Sequence, residues 1–265
     1  MGVLNVTPDS FSDGGRALDP GRAADLALAM EAAGADLIDI GAESTRPGAP
    51  PLPSGEERAR LLPVLRRLRG RITVPLSVDT YKADVARQAL DEGAVIINDV
   101  SGLEYDPALG DVVAVRGAGL VLMHTRGRSA AMYDLATYDD VVAEVSRELL
   151  RRVEAAVGRG VPVGSLVLDP GLGFAKQAAH SARVLARLDE FAALGRPLLV
   201  GPSRKSFLAG AAGGRPAAER DWATAAAVTA AALGGAHIVR VHAVDEMVQA
   251  ARVADLLRAE AAAGG

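Results

Sequence analysis

The 265-residue sequence predicts a single (β/α)8 barrel, the TIM-barrel architecture, over residues 1–265. Short runs rich in Val, Ile and Leu recur along the chain, and Ala-rich amphipathic segments separate them. The runs are apolar throughout rather than alternating, which is typical of parallel strands covered on both faces. Eight such units follow one another without a low-complexity linker, which favours a closed barrel. An open doubly wound sheet is the alternative.

The predicted strands are the apolar runs, and each one ends where polar or glycine-rich residues begin. They cover residues 2–6, 35–40, 74–78, 95–98, 119–123, 165–168, 197–200 and 237–241. The carboxyl ends of parallel barrel strands meet at one rim, where the chemistry of this architecture is found. The residues that follow the strands are therefore expected to lie close together.

The predicted helices are the amphipathic segments between the strands. They cover residues 20–34, 54–69, 83–92, 108–116, 139–159, 178–194, 222–233 and 244–260. Ser54 with Glu57 three residues later predicts a capping box at the start of the second helix. Gly34, Gly93 and Gly117 stand where helix ends need a residue that tolerates positive φ.

Composition excludes several classes of function. The 29 basic and 33 acidic residues give a net charge of −4, so no global field favours nucleic acid or anionic membranes as partners. No cysteine is present, which excludes disulfides, thiolate metal sites and cysteine nucleophiles. This absence and the lack of a cationic leader predict a cytoplasmic protein. We expect no membrane span and no nucleic-acid partner, although a local basic patch is compatible with this charge.

Polar residues are concentrated after the predicted strands. They are Asn5, Glu43 to Gly48, Asp79, Asn98, His124, Asp169, Gly201 to Ser206, Arg240 and His242. The chain has only three lysines, and each of them follows a strand: Lys82, Lys176 and Lys205. This coincidence favours a functional site at the rim.

Two chemical groupings stand out within that set. Asp79, Asn98, Asp169 and Lys205 combine acceptors, an amide and a movable donor, which suits the edge of a planar heterocycle. A second group consists of hydrogen-bond donors and suits a phosphate or diphosphate. Its members are Arg46, Ser203, Arg204, Arg240 and His242. The sequence therefore predicts a pocket for a phosphorylated heterocycle.

Each residue also has a purely structural explanation. Asp79 can cap the following helix, Asp169 can form a turn with Pro170 and Gly171, and Ser203 can cap a helix. His124 is compatible with either packing or function. The placement of all these residues at one rim is what the structural explanations leave unexplained.

Seven motifs resemble those of the dihydropteroate synthases, a family of the pterin-binding barrel superfamily. They are GVLNVTPDSFSDGG at 2–15, ESTRPG at 43–48, SVDTYK at 77–82, INDV at 97–100, LDPGLGFAK at 168–176, SRKS at 203–206 and RVH at 240–242. They occur in the order of that family and span nearly the whole chain. The resemblance implies a transferase of folate biosynthesis, a target of sulfonamides, on a (β/α)8 barrel.

The resemblance also implies roles for individual residues. The pterin would contact Asp79, Asn98, Met123, Asp169, Phe174 and Lys205. The diphosphate would contact Asn5, Arg46, Arg240 and His242, and Asn5 would also bind Mg²⁺. The p-aminobenzoate would contact Phe11, Thr45, Pro47, Phe174 and Ser206. Asp79, Lys205, Arg240 and His242 would act in catalysis.

The implied reaction condenses 6-hydroxymethyl-7,8-dihydropterin diphosphate with p-aminobenzoate to give 7,8-dihydropteroate and diphosphate. A neutral aniline nitrogen is already nucleophilic at pH 7, so the reaction needs no dedicated general base. The partners implied are these small molecules and a second copy of the chain, since the family tends to dimerise through late helices. The segment 222–236 suits close helix packing, either in such a dimer or on its own barrel.

Two alternatives belong to other functional classes. A methyltransferase acting on methyltetrahydrofolate would share the barrel, but the STRP and SRKS motifs are poorly explained because no diphosphate leaves. A non-catalytic pterin-binding paralog would bind pterin without releasing diphosphate. The presence of Asn5, Arg46, Lys205 and Arg240 argues against the paralog.

Overall fold

Eight parallel strands alternate with eight α-helices in residues 1–7, 19–44, 48–128 and 131–263, the part of the chain described by this computed structural model. The strands are β1 (Gly2–Asn5), β2 (Ile38–Gly41), β3 (Leu76–Asp79), β4 (Ile96–Asp99), β5 (Gly119–Met123), β6 (Leu166–Asp169), β7 (Leu199–Val200) and β8 (Ile238–Val239). The helices are α1 (Pro20–Ala32), α2 (Ser54–Leu68), α3 (Ala83–Asp91), α4 (Ala108–Arg116), α5 (Val141–Gly158), α6 (Ala178–Ala186), α7 (Asp221–Leu233) and α8 (Val244–Ala263).

The strands close into a barrel. β1 to β6 form one parallel sheet in sequence order, and β7 and β8 form a parallel pair. Single parallel bridges join these two sheets at both edges, from Leu168 to Leu198 and from Gly2 to Val241. The predicted (β/α)8 barrel is confirmed, and the contact between the first and last strands rules out the open sheet.

Close helix packing surrounds the barrel. On α1 the inward residues Ala23, Ala24 and Ala27 are fully buried, so this helix backbone approaches the strands closely. Branched residues such as Ile38 and Ile40 fill the space beneath the helices. A densely packed scaffold of this kind holds the ends of its strands in a fixed arrangement.

Strand register aligns the first polar residues at the carboxyl rim. Asn5 pairs with Gly41, Gly41 with Asp79, and Asp79 with Asn98. These four residues therefore form one row across β1 to β4, and three of them carry side chains predicted to be functional. On the opposite side of the barrel Met123 pairs with Asp169.

Two predicted local features are wrong. The helix predicted at 178–194 ends at Ala186, because Arg187 leaves helical geometry and a 3₁₀ helix over Leu188–Leu194 buries Leu188 and Phe191. The capping box at Ser54 is absent, since Ser54 is already the first helical residue and no side chain caps the helix. Glu57 is instead buried against Lys82.

No helix in the described ranges is both long enough and apolar enough to cross a membrane.

Candidate active site

Nine of the predicted site residues line one cleft at the carboxyl rim. They are Asp79, Asn98, Met123, Asp169, Phe174, Ser203, Lys205, Arg240 and His242. A cleft that combines apolar surface with a few convergent polar groups is typical of sites for small molecules. Residues separated by more than 160 positions in the sequence thus form one site.

Two other predicted residues do not line the cleft, and four fall outside the described residues. Asn5 is half-buried at the end of β1, in the row that contains Asp79, but it does not line the cleft. Ser206 is exposed and begins a short 3₁₀ helix next to Lys205. Phe11, Thr45, Arg46 and Pro47 lie outside the described residues, as does most of the motif at 2–15.

Arg240 bridges two carboxylates at the bottom of the cleft. Its Nε donates to Asp39 Oδ2 at 2.7 Å, and its Nη2 donates to Asp79 Oδ2 at 2.9 Å. The Asn98 amide donates to the same Asp39 oxygen at 3.0 Å. Asp39 therefore connects two residues of the cleft, and Arg240 enters it with its orientation fixed by charge-assisted hydrogen bonds.

Sequence reasoning missed Asp39. The residue is completely buried on β2, between Leu37 and Ile40 in an apolar run. A charged side chain is almost never fully buried without a partner. A carboxylate flanked by isoleucines inside the predicted strand over 35–40 was the signal that could have identified it.

Asp79 is shielded from water, and its burial raises its pKa to about 7. Arg240 acts in the opposite direction, since its positive charge favours the carboxylate, whereas the neighbouring Asp39 raises the pKa further. Asp79 does not cap α3, whose N-cap is Lys82 without a side-chain hydrogen bond. The structural explanation for Asp79 is therefore wrong.

Asp169 ends β6 and combines two roles. Its Oδ1 accepts from the Gly171 amide at 2.7 Å, so the predicted turn is present, and its side chain also lines the cleft. Burial raises the pKa of Asp169, while hydrogen bonding from Gly171 and the charge of Lys205 lower it. Because the turn uses Oδ1, Oδ2 is the oxygen left to accept from a ligand.

Lys205 lies across the cleft from the first strands. Its Nζ lies 4.1 Å from the centre of the Phe174 ring, a cation–π contact. Burial lowers the pKa of Lys205 to about 8, although Asp169 and Asp79 favour the charged form. Lys205 is thus a donor close to its titration point at neutral pH.

His242 is a neutral hydrogen-bond donor. Its backbone amide donates to Ser203 Oγ at 3.2 Å, and Ser203 Oγ lies 2.9 Å from His242 Nδ1. In the tautomer with its proton on Nε2, the imidazole accepts from the Ser203 hydroxyl at Nδ1 and presents an N–H group at Nε2. Burial lowers the pKa of His242 to about 4, and the nearby Arg240 lowers it further. Ser203 therefore orients His242 and caps no helix.

Three cations predicted near the site face elsewhere. Arg204 donates to both oxygens of Asp221, at 2.8 and 2.7 Å. Lys82 is held by Glu43, Glu57 and the Leu52 carbonyl oxygen.

Lys176 is the third, and it is buried against His124 at 2.7 Å. Of the three lysines that follow strands, Lys205 is the one that lines the cleft. A lysine that follows a predicted strand is therefore only a weak indication of a residue that lines the cleft.

The described ranges contain no group of three or more His, Cys, Asp or Glu side chains that could hold a metal ion.

Residues 1–242 match the family described as pterin binding enzyme. This match covers more than half of the chain. The chain belongs to the pterin-binding enzyme family. The polar heterocycle site deduced at the rim agrees with that membership.

Several dihydropteroate synthases are similar to this pterin-binding enzyme. A dihydropteroate synthase of Mycobacterium leprae (strain TN) is 51% identical over 259 residues, which cover 96% of this chain and 91% of the relative. The structure of Xanthomonas albilineans dihydropteroate synthase with 4-aminobenzoic acid is 43% identical with a TM-score of 0.91, over 97% of this chain and 92% of that chain.

A Yersinia pestis dihydropteroate synthase in complex with a sulfonamide drug is 41% identical, with a TM-score of 0.92 over 97% and 93% of the two chains. These similarities confirm the resemblance to dihydropteroate synthases and the assignment of this pterin-binding enzyme as a transferase.

Proposed function

We propose that the chain condenses 6-hydroxymethyl-7,8-dihydropterin diphosphate with p-aminobenzoate, giving 7,8-dihydropteroate and diphosphate. The observation that carries the proposal is the single cleft in which Asp169, Asn98 and Lys205 face one another with Arg240 and His242. The first three suit the edge of a heterocycle, and the last two suit its diphosphate. A bond forms between the aniline nitrogen and the pterin methylene carbon, and the bond from that carbon to the diphosphate oxygen breaks.

The pterin would be recognised by side chains whose hydrogen-bond donors and acceptors are complementary to those of its ring. Asp169 Oδ2 would accept from the 2-amino group and a ring N–H, and Lys205 would donate to the ring carbonyl. Asn98 retains its oxygen and one amide proton for neighbouring ring positions, because Asp39 accepts its other proton. Met123 and Phe174 supply apolar surface beside the ring.

The departing diphosphate would be held by cations and neutral donors. Arg240 and the Nε2 proton of His242 lie on the cleft wall, and Arg46 and Asn5 are proposed to complete the site. Stabilising the leaving group lowers the barrier because negative charge accumulates there in the transition state. Asp79 and Asp169 would favour the positive charge that develops on the pterin methylene carbon.

Mg²⁺ is proposed as the metal, with Asn5 as its ligand from the chain. One amide oxygen at the end of β1 fits this ion, since Mg²⁺ is usually held by one or two protein groups together with substrate phosphates and water. A dedicated carboxylate cage is not needed. Bound Mg²⁺ would neutralise charge on the diphosphate.

The p-aminobenzoate is proposed to bind beside Phe174 and Ser206, with Phe11, Thr45 and Pro47 contributing from segments outside the described residues. Its neutral amino group attacks without a general base, and the proton released from the aniline nitrogen leaves to water or to the diphosphate. Phe174 would thus lie between the pterin and the p-aminobenzoate and contact both of them.

A homodimer is proposed from the apolar surface of the last two helices. Trp222 is 90% exposed on α7, and Leu233, Val253, Leu256 and Leu257 are also exposed on α7 and α8. Exposed apolar clusters of this kind mark interaction surfaces. We also propose that the protein is one domain and acts in the cytoplasm.

The test measures diphosphate release from the pterin diphosphate with and without p-aminobenzoate and Mg²⁺. Wild type is expected to release diphosphate in step with dihydropteroate, and Lys205→Ala and Arg240→Ala are expected to abolish it. Arg116→Ala is the control, because Arg116 ends α4 at the opposite end of the barrel. Pterin binding without release would favour the non-catalytic paralog, and methyl transfer from methyltetrahydrofolate would favour the methyltransferase.

A further inference from the structure

Three successive carbonyl groups in the segment after β6 are held by side chains. Tyr133 Oη donates to the Gly173 carbonyl oxygen at 3.2 Å, Lys176 Nζ to that of Phe174 at 3.1 Å, and Tyr138 Oη to that of Ala175 at 2.8 Å. This segment carries Phe174, which lines the cleft. Ordinary loops expose such groups to water, so the hydrogen bonds specify one conformation of the segment.

Lys176 begins a buried polar chain that leads away from the cleft. Its Nζ lies 2.7 Å from His124 Nδ1, and His124 Nε2 lies 2.9 Å from Glu148 Oε2. Lys176 and His124 are almost completely buried. The amine donates to Nδ1, so the imidazole proton is on Nε2 and is donated to Glu148. Arg126 also donates to Glu148 and fixes the far end of the chain.

The near end of this chain contacts both walls of the heterocycle site. The His124 amide donates to the Asp169 carbonyl oxygen at 2.8 Å. Lys176 Nζ donates to the Phe174 carbonyl oxygen, and Lys205 Nζ lies 4.1 Å from the centre of the Phe174 ring. Phe174 therefore depends on this support through Lys176, and Lys205 depends on it through the Phe174 ring. The contact with Asp169 is made by the backbone of His124 and not by its side chain. None of the supporting side chains lines the cleft.

Burying an amine and an imidazole is costly. Burial lowers the pKa of Lys176 well below its ordinary value, while the charge of Asp169 acts in the opposite direction. Burial, and then the charge of Lys176, lower the pKa of His124 well below its ordinary value. Apolar residues of similar volume often stabilise a fold as well as a buried polar pair does. Stability alone is thus a weak explanation for the burial of Lys176 and His124 next to each other.

We propose that Lys176, His124 and Glu148 form a positioning chain that holds Phe174, and through its ring Lys205, in the arrangement that binds the pterin ring. This inference rests on the proposed function and deepens it. The three residues act through Phe174 and Lys205 and do not touch substrate themselves. The positioning chain thus serves the binding of the pterin ring rather than the folding of the protein.

The experiment compares Lys176→Met, His124→Leu, the double variant Lys176→Met/His124→Leu and His124→Asn. The probe is 6-hydroxymethylpterin, whose dissociation constant is measured by its own fluorescence. The affinity of the first three is expected to fall about 10- to 100-fold, as when support behind a ligating group is lost. His124→Asn keeps an acceptor near the Nδ1 position, so it is expected to retain most of the affinity.

Two further readouts separate positioning from folding. The double variant removes both members of the buried pair, so its thermal midpoint is expected to stay close to that of wild type. Its KM for the pterin diphosphate is expected to rise with little change in kcat. Equal losses in His124→Asn and His124→Leu, or unchanged pterin affinity in the folded double variant, would overturn the proposal. Failure of all four variants to fold would overturn it too, since Lys176 and His124 would then be required for folding.

Failure of the proposed function is recognised separately. Wild type would then bind 6-hydroxymethylpterin without releasing diphosphate from the pterin diphosphate. Failure of the positioning chain instead requires an active wild type and folded variants with unchanged pterin affinity.

Discussion

Arg240 Nη2 lies 2.9 Å from Asp79 Oδ2, and this ion pair joins the eighth and third units of the barrel across the bottom of the cleft. The same guanidinium contacts Asp39 at 2.7 Å through Nε. Arg240 is thus oriented from below by two carboxylates before any substrate arrives. A cation fixed in this way needs little reorganisation when a diphosphate binds.

Asp39→Asn is expected to lower kcat/KM for the pterin diphosphate. The variant replaces a charged acceptor of Arg240 by a neutral amide, and a charged hydrogen bond contributes about 1.5–3 kcal/mol, roughly 10- to 100-fold in rate. Steady-state kinetics measures the effect. Ser77→Ala is the control, since Ser77 is the register partner of Asp39 and its Oγ has no hydrogen-bond partner in the described structure. Equal activity of the two variants would contradict the role of Asp39.

The pH dependence of kcat/KM should be bell-shaped. Activity is expected to rise through a pKa of about 7 as Asp79 ionises and to fall through about 8 as Lys205 loses its proton. Asp169, Arg240 and Asp79 are the charged groups that act on Lys205. Lys205→Arg keeps its charge at alkaline pH, so it should abolish the alkaline limb. An unchanged alkaline limb in that variant would show that another group titrates there.

Gly171→Ala should destabilise the protein more than Gly195→Ala. Both glycines have positive φ, 68° and 62°, so both variants incur the cost of a left-handed residue, about 1–2 kcal/mol. A Cβ at Gly171 would also lie 2.0 Å from the His124 carbonyl oxygen, whereas nothing lies within 4 Å at Gly195. Urea unfolding measures both. Equal losses of unfolding free energy would show that the turn can move away from His124.

Ser203→Ala should reduce kcat by up to about tenfold, the usual limit for loss of a neutral hydrogen bond. The variant removes the hydroxyl that lies 2.9 Å from His242 Nδ1 and orients the imidazole. Affinity for 6-hydroxymethylpterin, which has no diphosphate, should not change. A parallel loss of pterin affinity would indicate a general distortion of the cleft instead.

Trp222→Glu should convert a dimer to a monomer. The charge would be introduced at Trp222, the most exposed large apolar side chain of α7 and α8, near the start of α7. Light scattering during size-exclusion chromatography at micromolar concentration measures the mass. Val115→Glu is the control, because Val115 is 84% exposed on α4 and lies outside that surface. A monomeric wild type would contradict the proposed homodimer.

Most of the cleft could be predicted from residues that follow the strands. Asp79, Asn98, Asp169 and Lys205 were identified in this way, because parallel strands place their carboxyl ends together. The same reasoning overestimated Arg204 and Lys82, whose side chains point to Asp221 and to Glu43 and Glu57. A position after a strand specifies the rim, but rotamers and neighbouring charges decide which way a long side chain points.

The sequence by itself determined the eight βα units, the barrel and the chemical character of its rim, because these depend on apolar periodicity and on residue types near one another in the chain. Only the tertiary structure decided that Asp39 holds Arg240, that Ser203 orients His242, and that Lys176 lies behind Phe174. The first two contacts join separate units, and Asp39 and Arg240 are 201 residues apart. Distances of a few ångströms between such residues are set by barrel closure and side-chain packing, which no local pattern contains.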